Sequence, residues 1–205
     1  GSWSSTETDD ALTVSAGDYD GDGDADILLP TGDGDNGTTY LDRVYRMDDG
    51  VPVLAWSSPN PSTHYDGGFA DVDADGDLDF ALVGGFNSGT QVWENTGSSF
   101  SLLWEDAANP VNCMAWADVD GDGDLDLIQA AGTGPLMRVL LNDGQGQFSP
   151  GWSTSGVSSP SVMTAGDYDA DGDADFAVAR FNQPVVVYEN AGDGTFTQVW
   201  SSPTS

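Results

Sequence analysis

One nine-residue phrase, with aspartate at every odd position and glycine sixth, occurs four times along the chain. The copies Asp18–Asp26, Asp71–Asp79, Asp118–Asp126 and Asp167–Asp175 align without gaps, and their starts lie 53, 47 and 49 residues apart. A tryptophan keeps the same beat at Trp3, Trp56, Trp104, Trp152 and Trp200. Such a period over 205 residues constrains the fold to a repeat architecture, in which each unit buries its apolar face against its neighbours. The units run at about 3–55, 56–103, 104–151 and 152–199, and residues 200–205 open the phrase again. Together they make a single unit of four repeats.

Each repeat has the same internal order. A small-residue, alternating stretch comes first (Leu12–Ala16, Val111–Ala117, Ser161–Ala165), followed by the aspartate loop. A short apolar run follows the loop: Ile27–Leu29, Phe80–Val83, Leu127–Ile128 and Phe176–Val178. A β-rich stretch comes next (Gln91–Glu94, Arg138–Leu141, Val185–Tyr188). A Gly/Asn turn such as Asn142–Phe148 or Asn190–Phe196 then leads into a strand ending at the tryptophan. Asn and Gly tolerate the positive φ that hairpin turns require. No long window carries helical periodicity. Four short strands per repeat of about 50 residues predict an all-β fold, a β-propeller of four-stranded antiparallel blades with four blades in this chain.

The phrase Ala16–Leu29 and its copies resemble the FG-GAP/VCBS repeats, the blades of integrin-α-type calcium-binding propellers, and the resemblance covers the whole chain. It implies a calcium site in the loop between the first and second strands of each blade, and no particular activity.

The spacing argues for calcium independently. Ca²⁺ takes six to eight oxygens, and alternate carboxylates on a tightly curled loop can all point inward. Side-chain oxygens are expected from the first, third, fifth and ninth positions. These are Asp18, Asp20, Asp22 and Asp26; Asp71, Asp73, Asp75 and Asp79; Asp118, Asp120, Asp122 and Asp126; Asp167, Asp169, Asp171 and Asp175. The seventh residues, Asp24, Asp77, Asp124 and Asp173, supply a backbone carbonyl and turn their side chains to solvent. Glycine sixth permits the sharp turn. The loop opens like an EF-hand but closes with Asp at nine, not Glu at twelve, and strands flank it. Four Ca²⁺ are expected, one per loop, with magnesium disfavoured because it prefers to keep several waters.

Composition narrows the partners. The chain holds 35 acidic residues, all but four of them aspartate, against four arginines and no lysine, for a net charge of −31. That surface repels phosphate backbones and anionic lipid, so nucleic acid is excluded as a partner. No apolar run is long enough to insert into a membrane. Seven Trp, eight Phe and six Tyr belong to a packed protein, not a disordered one.

The remaining chemistry-bearing residues speak against an enzyme. His64 is the only histidine and reads as a solvated or capping loop residue. Cys113 reads as a small core residue. The repeated tryptophans anchor strand ends in the core, or alternatively offer sugar-stacking platforms. The insert around Thr31–Thr39 reads as an extended loop. The expected function is a calcium-stabilised binding or adhesion module, extracellular or at the cell surface, with a protein or glycan ligand. The alternatives are a lectin-like propeller and the non-catalytic scaffold of a larger secreted enzyme. Self-association is also expected, two chains closing an eight-bladed ring.

Overall fold

The computed structural model describes residues 10–32, 39–85, 88–131, 137–155 and 157–203. Trp3, the body of the insert at 33–38 and residues 204–205 lie outside the described residues. Among the described residues every regular element is a β-strand, and the strands fall into four sheets. The first blade is β1 (Ser15–Gly17), β2 (Asp26–Leu29), β3 (Arg43–Asp48) and β4 (Val51–Ser57). The second is β5 (His64–Ala70), β6 (Asp79–Gly84), β7 (Thr90–Asn95) and β8 (Phe100–Asp106). The third is β9 (Val111–Ala117), β10 (Asp126–Ala131), β11 (Met137–Asn142) and β12 (Phe148–Thr154). The fourth is β13 (Pro160–Gly166), β14 (Asp175–Arg180), β15 (Gln183–Asn190) and β16 (Phe196–Ser201). Each sheet is an antiparallel meander in sequence order, as the all-β propeller reading requires.

Burial within a blade follows the sequence pattern. The second strands β6 and β10, which read as continuous short apolar runs, are buried along their whole length. The fourth strands are the most exposed, and they run one or two residues beyond the tryptophan. The pairing of third and fourth strands slips at one repeat-equivalent place in every blade, at Val44/Tyr45, Val92/Trp93, Arg138/Leu140 and Val187/Tyr188. A bulge there increases the local twist of the outer strand. In the first blade, β1 begins only at Ser15, and Ala11 forms an isolated bridge with Thr31 instead.

The chain divides into two compact units, residues 1–71 with 75–109, and residues 72–74 with 110–205. In the first unit, Leu28, Val44 and Trp56 of the first blade pack on Phe80, Leu82, Trp93 and Phe100 of the second. The Trp56 ring meets Phe80 at 5.2 Å and Trp93 at 4.9 Å, both edge-on. In the second unit Trp152 meets Tyr188 at 5.8 Å and Phe196 at 5.4 Å, while Cys113, Ile128 and Val139 face Met163 and Val178. Each large apolar side chain fully buried this way contributes about 1.5–3 kcal/mol. Cys113 is a core residue, as its surroundings in the sequence suggest.

Candidate metal centre

Each aspartate phrase is the connection between the first and second strands of its blade, and its geometry repeats closely. The sixth-position glycines Gly23, Gly76, Gly123 and Gly172 have φ of 96°, 97°, 98° and 105°, a region closed to side chains at low cost. The fourth position is also left-handed: Gly21 and Gly121 occupy it at no cost, but Ala74 (φ 59°) and Ala170 (φ 65°) hold the same turn against a steric penalty of about 1–2 kcal/mol. Nothing in the spacing of the aspartates signals that second turn.

Backbone amides organise the carboxylates. The first aspartate of each loop accepts the amide of the sixth-position glycine, at 3.0 Å for Asp18, 3.1 Å for Asp71, 3.0 Å for Asp118 and 3.1 Å for Asp167. The fifth, Asp22, Asp75, Asp122 and Asp171, accepts the amide of the seventh at 2.8–3.0 Å. Carboxylate oxygens of Asp18, Asp20 and Asp22 then lie within 4.8 Å of one another, as do those of Asp118, Asp120 and Asp122. In the other two loops the ninth residue completes the group: Asp71 with Asp73 and Asp79, and Asp167 with Asp169 and Asp175.

The ninth aspartates do more than close the loop. Asp26, Asp79, Asp126 and Asp175 are all buried. Asp26, Asp126 and Asp175 each accept the amide of the second loop residue on one oxygen, and the amide at or near the end of the third strand on the other. For Asp79 the amide of Asn95 lies 2.7 Å away. The ninth carboxylate therefore staples the loop to the sheet. Among the seventh residues, Asp24 and Asp77 are exposed, whereas Asp124 and Asp173 are half-buried over Gly144 and Gly192 of the following hairpin turn, where a β-carbon would collide with them. The expectation that all four face solvent therefore fails for the third and fourth blades, because those turns reach back over the loop.

The donor set consists of oxygen alone, clustered and negatively charged. Burial, with Asp22 and Asp26 beside it, raises the pKa of Asp20, and burial likewise raises Asp120 and Asp169. Burial pushes Asp126 up to about 6 despite the two amides it accepts. Asp71 Oδ1 is buried with no hydrogen-bond partner. An orphaned carboxylate oxygen in a loop whose carboxylates cluster fits a hard dication. The first loop differs from the rest, because Arg46 approaches Asp20 to 3.8 Å while holding Asp48 at 2.7 Å.

Two further arrangements escaped the sequence. Asn95, Asn142 and Asn190 end the third strands of blades two to four, and all three are buried. Their amides donate to the carbonyl of the eighth loop residue in their own blade, Leu78, Leu125 or Ala174, at 3.2–3.3 Å. They also reach the second residue of an earlier loop: Tyr19 O at 2.9 Å, Val72 O at 2.7 Å and Val119 O at 2.7 Å. Each of these longer bonds lies within one compact unit. The first blade carries Met47 in this place.

The second arrangement corrects the reading of His64. It is not solvated: it is fully buried at the start of β5, with Nδ1 2.8 Å from Asp42 Oδ2 and 3.0 Å from Ser62 Oγ. Asp42, also fully buried, accepts the Thr31 amide at 2.9 Å and the Ser62 hydroxyl at 2.8 Å. Burial works to raise the Asp42 pKa, but the His64 ring, the Thr31 amide and Ser62 together hold it below the ordinary carboxylate value. Histidine, aspartate and serine here clamp the base of the insert to the second blade. Ser62 shares the Nδ1 side with Asp42, so the three do not form a nucleophile relay, which needs the serine on Nε2.

The loop geometry now meets the comparison with known proteins. The FG-GAP-like repeat family matches residues 71–129, 118–178 and 167–205, together more than half of the chain. The protein belongs to the FG-GAP-like repeat family. The matched FG-GAP-like repeats contain the second, third and fourth aspartate loops, and the first blade, with its insert and Met47, stands outside them. None of the curated proteins matches the sequence. Among solved structures, one describing specific recognition of non-reducing terminal N-acetylglucosamine by an Agrocybe aegerita lectin is similar at 21% identity and TM-score 0.58, over 92% of this chain and 51% of that one. A second, of BBS1N in complex with ARL6DN, is similar at 13% identity and TM-score 0.62, over 94% of this chain and 57% of that one. At these identities the likeness speaks for the fold, and this chain spans little more than half of either structure.

Proposed function

We propose that the protein is a calcium-stabilised β-propeller binding module that works outside the cell or at its surface, without catalytic activity of its own. The observation that carries this reading is the convergence of three carboxylates within 4.8 Å in every one of the four loops, with Asp71 Oδ1 buried and unpartnered in the second. So much negative charge in one small loop is self-repelling, and a bound dication removes the penalty. In each loop the first, third, fifth and ninth aspartates would hold the ion with the seventh carbonyl. The ion would supply charge neutralisation and rigidity. Millimolar calcium outside cells suits such sites. Calorimetry checks the reading: calcium is expected to raise the melting temperature of EDTA-treated protein strongly, and magnesium much less. Equal melting in calcium and EDTA overturns it.

The structures similar in fold include both a lectin and a protein–protein complex, so the ligand class rests on this chain's own surface, and a glycan is the class it suits. A cleft of about 320 Å³ in the first unit is lined by Asn60, Gln91 and Glu105, two amides and a carboxylate of the kind that hydrogen-bond sugar hydroxyls. A glycan array on calcium-loaded protein tests this, and protein that retains no glycan refutes it.

A further inference from the structure

The four loops share one ligand pattern, but the strand beside them does not repeat its charge. The third strand of each blade ends against its own loop, since the amides of Met47, Asn95, Asn142 and Asn190 donate to the ninth aspartates. One place earlier in that strand stand Arg46, Glu94, Leu141 and Glu189, and one place later Asp48, Thr96, Asp143 and Ala191. These two flanking places therefore carry one net negative charge in each of the last three blades and none in the first. In the first blade the positive member is turned toward the loop. Asp48 holds one end of the Arg46 guanidinium at 2.7 Å, which leaves Nε 3.8 Å from Asp20 Oδ2, buried and without a hydrogen-bond acceptor. In the fourth blade the equivalent Glu189 accepts the Tyr168 hydroxyl at 3.1 Å and lies close enough to Asp169 to act on it electrostatically. Asp20 and Asp169, the third residues of their loops, thus face neighbours of opposite sign.

We propose that Arg46 is a built-in counter-cation of the first loop, which makes this loop the weakest of the four calcium sites and the last to fill. The proposal rests on the calcium reading above. A dication entering the first loop meets the guanidinium beside its third ligand, whereas each other loop offers it one further negative charge. A unit charge acting on a dication across a few ångströms of solvent-exposed surface changes affinity about five- to tenfold. Over that range of calcium the protein holds three ions, and only a further rise fills the first loop. The late step is transmitted within the first unit, because Tyr19 of this loop accepts the Asn95 side-chain amide on its carbonyl and sets its ring 5.2 Å from that of Phe100.

Equilibrium dialysis of EDTA-treated protein against radioactive calcium tests the proposal. Wild-type protein is expected to bind three ions in one class and a fourth about five- to tenfold more weakly. Asp20→Asn should delete the weak step alone. Arg46→Gln gives the first loop the flanking charge of the others and should merge the four sites into one class, whereas Arg46→Lys should keep the weak step. Glu94→Gln, the mirror change in the second blade, should create a second weak site. The gap between the classes should narrow as salt is raised. Four ions of equal affinity in the wild type, or a weak step that Arg46→Gln leaves in place, overturn the proposal and leave the calcium reading standing. Protein that binds no calcium overturns that reading and this proposal with it.

Discussion

Individual aspartates in this protein carry unequal burdens that their identical spelling conceals. The ninth residue of each loop is buried and bound to backbone amides, while the fifth is exposed in all four. The most consequential single aspartate lies outside the loops. Asp42, with His64, Thr31 and Ser62, forms a fully buried polar cluster in the first unit. Removing His64 takes one partner from a buried carboxylate, which keeps Thr31 and Ser62, and leaves a cavity where the ring stood. His64→Ala is therefore expected to cost about 3–5 kcal/mol in urea denaturation, far more than an exposed loop histidine would. A loss below about 1 kcal/mol would show that the clamp does not support the fold. Nothing in the sequence marks this pair. Asp42 and His64 are 22 residues apart, and only the arrival of β5 beside Thr31 and Asp42 brings them together.

At the scale of the element, the aspartate loops were legible because their geometry is local. Glycine at the sixth position, aspartate at alternate places and a strand on either side are fixed within nine residues. The asparagines that lock those loops were not legible, since their bonds span 70 residues or more to the earlier loop. Asn190 Oδ1 also accepts the amides of Gly192 and Gly194, so one side chain holds a hairpin turn and two carbonyls at once. Asn190→Ala leaves those buried groups unsatisfied, and is expected to destabilise by about 3 kcal/mol in chemical denaturation. Asn190→Asp keeps the acceptor and loses the donors, so it should rescue little. The bulge at the middle of each third-and-fourth-strand pair is likewise silent in the sequence, because it is set by how the outer strand twists over the sheet.

Across the whole molecule, charge dominates the expected response to pH. In protein stripped of metal, Asp20, Asp120, Asp126 and Asp169 all have raised pKa values, Asp126 at about 6. A carboxyl raised in the folded state contributes stability while it is protonated, and that stability is lost as pH rises through the folded value. Asp42 has the opposite sign: its stability is present above its ordinary value and is lost only in stronger acid. The metal-free protein should therefore melt higher at about pH 5 than at about pH 7.5, and calcium should remove or reverse the difference. Calorimetry at the two pH values, in EDTA and in calcium, reads this directly, and a metal-free protein more stable at the higher pH contradicts it. The sequence by itself determined the repeat, the all-β blades and the position of every aspartate loop, because a period and a tight turn are properties of neighbouring residues. Only the tertiary structure decided which aspartates are staples, where His64 finds its partner, and that Arg46 reaches Asp20. Each depends on what the fold brings beside a loop, and a repeat spells its loops alike whatever neighbour arrives.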